Sequence, residues 1–379
     1  MNNPIQTSYF ETAEPELELA ISQLISVLPS KQKIVSLAFF GNIINNSYHT
    51  TLNSIRNCVA AHFTTLPLIS FIPQPTLGVS CFGLEVNSLN PLSESTIEFK
   101  KFNSIPYALI DLQWGKSIWI EGLSADCISD QYSNQGLNIF TKLTELLHFE
   151  GFEPHQIVRQ WNYIGNIVDF ENGNQHYQLF NNARTKFYEQ DNFVYGFPAA
   201  TGISISTNCL LVSLIAVKPS FETRIIPIDN TLQIPAYKYS NSVLVGGETE
   251  YLKSTPKFER AKVLISSKQC IIFVSGTAAI RNEKSSHIDN VSLQTIETIA
   301  NINYLISSVN LINNGWQVKS EAKLTSIRVY VKNKNDFETV KTEVEKAWPA
   351  IQSIYLEAEV CRPELLVEIE GIAEIQIKN

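Results

Sequence analysis

Hydrophobic and polar positions along this chain switch repeatedly between a two-residue period and a helical one. Alternating or short apolar runs predict strands at Lys33–Phe40, Leu66–Ile72, Gly78–Val86, Ser95–Phe102, Tyr107–Leu112, Ser117–Gly122, His155–Tyr163 and Leu210–Val217. Helical spacing between them predicts helices over 15–29, Ser47–Phe63, Gln131–His148 and Gln175–Glu189. In the second of these, Leu52, Ile55, Val59 and Phe63 fall on one side. Nearer the end, strands are predicted at Val263–Ser266, Cys270–Ser275, Ala322–Val331, Ile354–Val360 and Leu365–Ile377. One helix there is capped by Asp289 and runs to about Ile312, and another spans Asp336–Trp348. Residues 219–261 follow neither period; with four prolines and Gly246-Gly247 they predict a long surface connection, either a lid or a plain linker.

The order of elements repeats. Strand SIWIEG, a long helix, strand IVRQWNYI, a helix, Pro198-Ala199 and strand LLVSLIAV follow one another in the first copy. The second copy runs IIFVSG, a long helix, TSIRVYV, a helix, Pro349-Ala350 and LLVEIEGIA. This is an internal duplication of roughly 110 residues. Around Pro75, GVSCFGLEVN matches the second half of the pattern, so the N-terminus predicts half of a third unit. The expected fold is α+β: tandem units of mixed sheet with helices on one face, closing around one another as a pseudo-trimer within one chain. The expected divisions are 1–105, an N-terminal region with a truncated unit; 106–218, a full unit; 219–261, the connection; and 262–379, a C-terminal unit carrying the chemistry.

The last strand has two unlike faces. Leu365, Val367 and Ile369 point one way, and Leu366, Glu368 and Glu370 the other. Two carboxylates on one strand face are costly to bury unless they serve a site or meet water. Composition narrows what such a site does. The 379-residue chain is 44% hydrophobic and 17% charged, which describes an ordinary globular protein, and its net charge of −8 leaves no basic run for nucleic acid or an anionic membrane. No signal-like segment or membrane-length apolar run occurs, and the six cysteines, scattered without CxxC spacing, predict reduced thiols and a cytoplasmic setting. No histidine has a ligand-spaced partner, and GxGxxG, P-loop and GxSxG signatures are missing, so no metal or cofactor is expected.

Three clusters can carry chemistry: Arg159-Gln-Trp-Asn-Tyr163 with Arg184; the small-residue turn Ser275-Gly-Thr-Ala-Ala-Ile280; and Cys361, Arg362, Glu364, Glu368 and Glu370. Taken singly each has a plain reading, as a surface arginine, a turn or a buried thiol. Together they resemble a known family. FVSGTA at 273–278, the helix with Gln294 and Glu297, IRVYV at 327–331 and LLVEIEGIA at 365–373 resemble the YjgF/Rid (RutC-like) superfamily. RQWNYIG at 159–165, FNNAR at 180–184, FPAATGIS at 197–204, SGTAAI at 275–280 and VCRPELLVEIEG at 360–371 resemble the chorismatase family, from about residue 105 to the end.

The resemblance implies YjgF/RutC-like units and cofactor-free cleavage of chorismate, releasing pyruvate. It assigns Glu368 as the acid. One subfamily forms a dihydroxycyclohexadiene carboxylate and another 3-hydroxybenzoate; the second carries a cysteine where Cys361 stands. Cys361 then acts as base or nucleophile during aromatisation, or only shapes the pocket. Chorismate carries two carboxylates, for which Arg159, Arg184 and Arg328 are the candidates. Tyr163, Thr201, Gly202, Gly276, Thr277 and Ala278 complete the expected binding set. Glu370 is expected to raise the Glu368 pKa by like-charge repulsion. The charged run RNEKSSH after SGTAAI departs from the family pattern. Two other functions are weighed. A Rid-type imine deaminase is disfavoured because neither Pro198-Ala199 nor Pro349-Ala350 is followed by arginine; a non-catalytic ligand-binding protein of the same fold is the other. A chain with several units can form its seams internally, so a monomer is expected.

Overall fold

The protein is described by a computed structural model covering residues 4–28, 33–44, 47–90, 95–125, 132–245, 253–266, 270–316 and 320–375. Its N-terminal part runs β1 (Ile5–Thr12), α1 (Leu17–Ser26), β2 (Lys33–Gly41), α2 (Tyr48–Ala60), β3 (Leu68–Ile72) and β4 (Phe82–Leu89). The middle part contains β5 (Thr96–Phe102), β6 (Ile105–Leu112), β7 (Gly115–Ser124), α3 (Tyr132–Phe149), β8 (Ile157–Gly165), the short pair β9 (Phe170–Glu171) and β10 (Asn174–Gln175), α4 (His176–Tyr188), β11 (Ala199–Ile205) and β12 (Leu210–Pro219). The C-terminal part holds β13 (Arg224–Ile228), β14 (Ala261–Ile265), β15 (Cys270–Ala278), the short pair β16 (Ile280–Arg281) and β17 (Lys284–Ser285), α5 (Val291–Ile306), α6 (Ser308–Asn313), β18 (Lys323–Val331), α7 (Phe337–Ala347), β19 (Gln352–Glu357) and β20 (Val367–Ile375).

One four-strand order recurs in three sheets: β1-β4-β2-β3, β7-β12-β8-β11 and β15-β20-β18-β19. In each, the last strand lies antiparallel between the first and second, and the second pairs parallel with the third. The middle and C-terminal sheets extend outward by β6-β5 and β14-β13. The three sheets share apolar clusters: Val35 and Leu89, Trp119 and Ile215, and Ile271 and Phe273 meet in one of them. The fold is therefore mixed α+β with a threefold internal repeat.

Several sequence expectations change. The N-terminal part is not half of the pattern: it has all four strands and two helices, and lacks only the outer hairpin. Strand β1 escaped notice because it is an edge strand with mostly half-buried residues and no clean alternation. Strand β11 was hidden in the small residues of AATGISI. Thr96–Phe102, expected within 1–105, pairs with β6 and belongs to the middle sheet, while Arg224–Ile228, expected in an irregular connection, pairs with β14. Asn290 rather than Asp289 caps α5, accepting from the Leu293 N–H, and the helix breaks at Ser307, where ψ is 150°. The cysteines are not uniformly reduced: Cys209 is disulfide-bonded, and Cys58, Cys81, Cys270 and Cys361 are free. Cys127 and Gly246-Gly247 lie outside the described residues. No helix among the described residues is long and apolar enough to cross a membrane.

Strand β20 keeps its two faces. Val367 and Ile369 enter the apolar core beneath the C-terminal helices, while Glu368 and Glu370, 5% and 3% exposed, turn toward the middle unit. Gln294 of α5 fixes the entry to this strand: its side chain accepts from the Leu366 N–H at 2.8 Å and donates to the Glu364 carbonyl at 2.9 Å.

Candidate active site

The site forms on the seam where β11 meets β15. The Ala200 N–H donates to Ser275 Oγ (2.9 Å), which in turn donates to the Glu259 carbonyl (2.6 Å), and the Gly276 N–H donates to Thr201 Oγ1 (3.1 Å). These bonds set β20 against the middle unit. Beside them lies a pocket. Glu368 and Cys361 line it, with Arg184 and Tyr177 from α4, Ala200 and Gly202 from β11, and Gly276 and Ala278 from β15. Tyr239, Val243, Leu244, Pro256, Phe258 and Arg260 bring the connection between β13 and β14 into the wall. That segment therefore contributes to the pocket rather than serving as a plain linker.

Burial is the first cause that lifts the Glu368 carboxyl, and the Glu370 charge adds to it; together they outweigh Arg159 and Arg260 and bring it to about 8. At neutral pH this carboxyl holds its proton. Glu370 is the opposite case. Burial raises it, but Arg159 and Arg328, aided by Thr201 and Trp161, hold it below the ordinary value. Arg159 pairs with it directly, Thr201 Oγ1 donates to it, Trp161 Nε1 donates at 2.8 Å and the Tyr330 hydroxyl at 3.1 Å. Two carboxyls on one strand face are thus pushed apart, one neutral and one ionised.

Gly276 brings its backbone against the Glu368 carboxyl. A Cβ there would stand 2.1 Å from Glu368 Oε1 and 3.1 Å from Thr201 Cγ2. Gly276→Ala is expected to leave the fold intact and lower kcat/KM about a hundredfold by displacing the carboxyl, as steady-state kinetics will measure.

Arg159 and Arg328 do not line this pocket. Arg159 is engaged by Glu370 and donates to Thr201 Oγ1 at 2.7 Å. Arg328 is held by Glu85 and donates to the Tyr163 hydroxyl at 2.8 Å, which places Tyr163 in the same buried network. Both arginines pair with protein carboxylates rather than lining this pocket, where the sequence reading expected them to hold substrate. Thr201 connects Arg159, Glu370 and Gly276 from behind the pocket wall. Thr277 turns back, donating to the Ser275 carbonyl, so Gly276 and Ala278 face the cavity and Thr277 does not.

The guanidinium groups that do line the pocket are Arg184, Arg260 and Arg362, and no ion pair to any of them occurs among the described residues. Arg184 is fixed by Asn181 Oδ1 (2.6 Å), and Arg260 by the Ile234 carbonyl (2.9 Å) and Tyr239 hydroxyl (2.6 Å); each keeps a buried Nε with no partner among the described residues. Arg362 donates to the Glu283 carbonyl at 2.9 Å, so the charged run after SGTAAI, folded as the β16-β17 hairpin, braces the site. Sequence reasoning passed over Arg260 because it ends a stretch without periodicity; only its place directly before a strand could have flagged it. The Cys361 thiol is pushed up to about 12, first by burial and then by Glu368. Among the described residues no cluster of His, Cys, Asp or Glu is placed to hold a metal ion.

A neutral and an ionised carboxyl two residues apart, beside arginines that make no ion pair among the described residues, form a site suited to an anionic ligand. A family profile described as chorismatase FkbO/Hyg5-like, N-terminal, matches residues 113–216. The chain is 31% identical over 250 residues to a 3-hydroxybenzoate synthase of Streptomyces hygroscopicus, covering 64% of this chain and 70% of that protein. It is 25% identical over 248 residues to a chorismatase of the same organism, covering 64% and 68%. A solved chorismatase structure superposes with a TM-score of 0.73 at 19% identity, over 97% of this chain and 98% of that one. The chain belongs to the chorismatase family.

Proposed function

We propose that this enzyme cleaves chorismate to pyruvate and 3-hydroxybenzoate, with Glu368 as the proton donor. The observation that carries the reading is the neutral, buried Glu368 carboxyl beside ionised Glu370, in a pocket whose arginines have no carboxylate partner among the described residues. Chorismate is a dianion, and Arg184 and Arg260 are suited to its carboxylates, with Arg362 at the rim. Glu368 gives its proton to the terminal methylene carbon of the enol ether. The carbon–carbon π pair forms the new C–H bond, and the ether carbon becomes an oxocarbenium ion. The carboxylate left on Glu368 stabilises that cation. Water adds to the oxocarbenium carbon, and the hemiketal collapses to pyruvate with the ether oxygen left on C3 of the ring. The ring then loses its C4 hydroxyl and the C3 hydrogen as water, giving 3-hydroxybenzoate, so the water consumed equals the water released.

The hydrolytic outcome, pyruvate and a dihydroxycyclohexadiene carboxylate, takes up one water. A specific observation favours it as the second reading: the Cys361 thiol stays protonated and offers no base at neutral pH. In the first reading Cys361 therefore shapes the pocket against the ring rather than acting as a thiolate. Incubation with chorismate, followed by liquid chromatography with mass detection, separates the two. Wild type is expected to yield 3-hydroxybenzoate, and Cys361→Ala a larger share of the diene acid. Pyruvate with diene acid alone from wild type would leave the hydrolytic reading standing.

The chain organisation belongs to the same proposal: three YjgF-like units, at about 1–90, 95–219 and 220–379, with the site on the seam of the last two. Because these seams close within one chain, a monomer is expected by light scattering, and a stable trimer would contradict this. Cytoplasmic residence is also proposed; the four free cysteines fit it, and the Cys209 disulfide does not.

A further inference from the structure

We propose that Glu85, in the N-terminal unit, is a positioning residue for the acid: by gripping Arg328 at two points it balances the charge buried behind Glu368 and keeps that carboxyl in its proton-donating form. This rests on the reading of Glu368 as the acid. Among the described residues, the N-terminal unit contributes no side chain to the lining of the Glu368 pocket. It nevertheless reaches the charged cluster behind that pocket. Arg328 Nε donates to Glu85 Oε2 at 2.6 Å and Nη2 to Oε1 at 2.7 Å, a bidentate pair across the seam between β4 and β18. The third nitrogen of Arg328, Nη1, lies 3.3 Å from Glu370 Oε1.

Arg159, Arg328, Glu85 and Glu370 are all at least 95% buried, and their charges sum to zero. Glu370 sits two residues from Glu368 on the same strand face. Removing the Glu85 charge leaves the cluster with a net positive charge and frees Arg328 to neutralise Glu370. Either effect favours the ionised form of Glu368. Other groups face these residues. Arg260, Arg184, Cys361, Tyr177 and Tyr239 surround Glu368 from the pocket side. Tyr9 of β1 hydrogen-bonds to Glu85, and Glu121 of β7 faces it, its carboxyl lifted to about 7 by burial and then by the Glu85 charge. Glu121 is the nearby group able to replace a lost negative charge, so the comparison belongs in a Glu121→Gln background.

The experiment is the pH dependence of kcat/KM for chorismate cleavage by the full-length chain carrying E121Q, alone and with E85Q or R328Q. The alkaline limb is expected to move to lower pH in E85Q and to higher pH in R328Q. A downward move of one pH unit lowers kcat/KM at pH 8 about fivefold and leaves it nearly unchanged at pH 6. A merely structural role for the pair would lower activity at every pH in both variants without moving the limb. The opposite signs make each variant sufficient if the other does not fold, and E85Q/R328Q, which removes one charge of each sign, is expected to return the limb to its starting position. A limb that stays in place in whichever variant folds overturns the proposal. Full activity in Glu368→Gln, by contrast, would overturn the assignment of the acid itself.

Discussion

Glu368→Gln is expected to lower kcat for chorismate cleavage by about a hundredfold to ten-thousandfold, the usual worth of a positioned general acid. The amide keeps the size and neutrality of the protonated carboxyl but has no acidic proton to give. The same change separates chemistry from folding. The folded-state value of about 8 lies above the ordinary 4.5, so the stability this carboxyl contributes is complete below about pH 4.5 and is lost as pH rises toward 8. At pH 7 the loss is about 3 kcal/mol, from the pKa difference at about 1.4 kcal/mol per unit. Glu368→Gln has no proton to hold and escapes it. The variant is expected to unfold at a denaturant concentration equal to or above that of wild type at pH 7 to 8, while being inactive. An inactive variant that is also strongly destabilised would point to a structural role instead.

Glu370→Gln is expected to have the largest effect on stability. It leaves Arg159 and Arg328, both buried, with Glu85 the remaining ion-paired carboxylate among the described residues. Breaking a buried ion pair from one side costs about 3–5 kcal/mol, because the remaining charge has lost its compensation. Denaturant unfolding at pH 7 is the measurement. The folded fraction carries a second signature. Without the Glu370 charge, Glu368 loses the like-charge repulsion that adds to its burial, so the alkaline limb of activity moves below pH 8. An unmoved limb would remove Glu370 from the account of Glu368.

Much of the architecture was legible because most elements are strongly periodic and the LLVEIEGIA pattern recurs as LLVSLIAV. The carboxylate pair was legible for a local reason: alternation along β20 puts Glu368 and Glu370 on one face, and their proximity follows from strand geometry alone, while the family resemblance, not the pattern, singled out Glu368 as the proposed acid. Arg184 was also named from the sequence, but the partners of Arg159 and Arg328 were not legible. Arg159 and Arg328 occupy corresponding places in two repeats. What decides their partners is the seam: Glu370 arrives from 211 residues away and Glu85 from 243. Long-range pairs of this kind leave no mark on either local pattern. Arg260 was hidden for the converse reason, in a segment whose order comes from packing over the pocket rather than from its own periodicity.

The pH dependence of kcat/KM for wild-type cleavage of chorismate tests the central claim most directly. It reports the free enzyme's acid, while the substrate carboxylates stay ionised throughout the neutral and alkaline range. A neutral Glu368 as proton donor predicts a plateau through pH 6 to 7 and a tenfold fall per pH unit above a midpoint near 8. A rate that rises through pH 8, or a fall centred near the ordinary carboxylate value of 4.5, would contradict it.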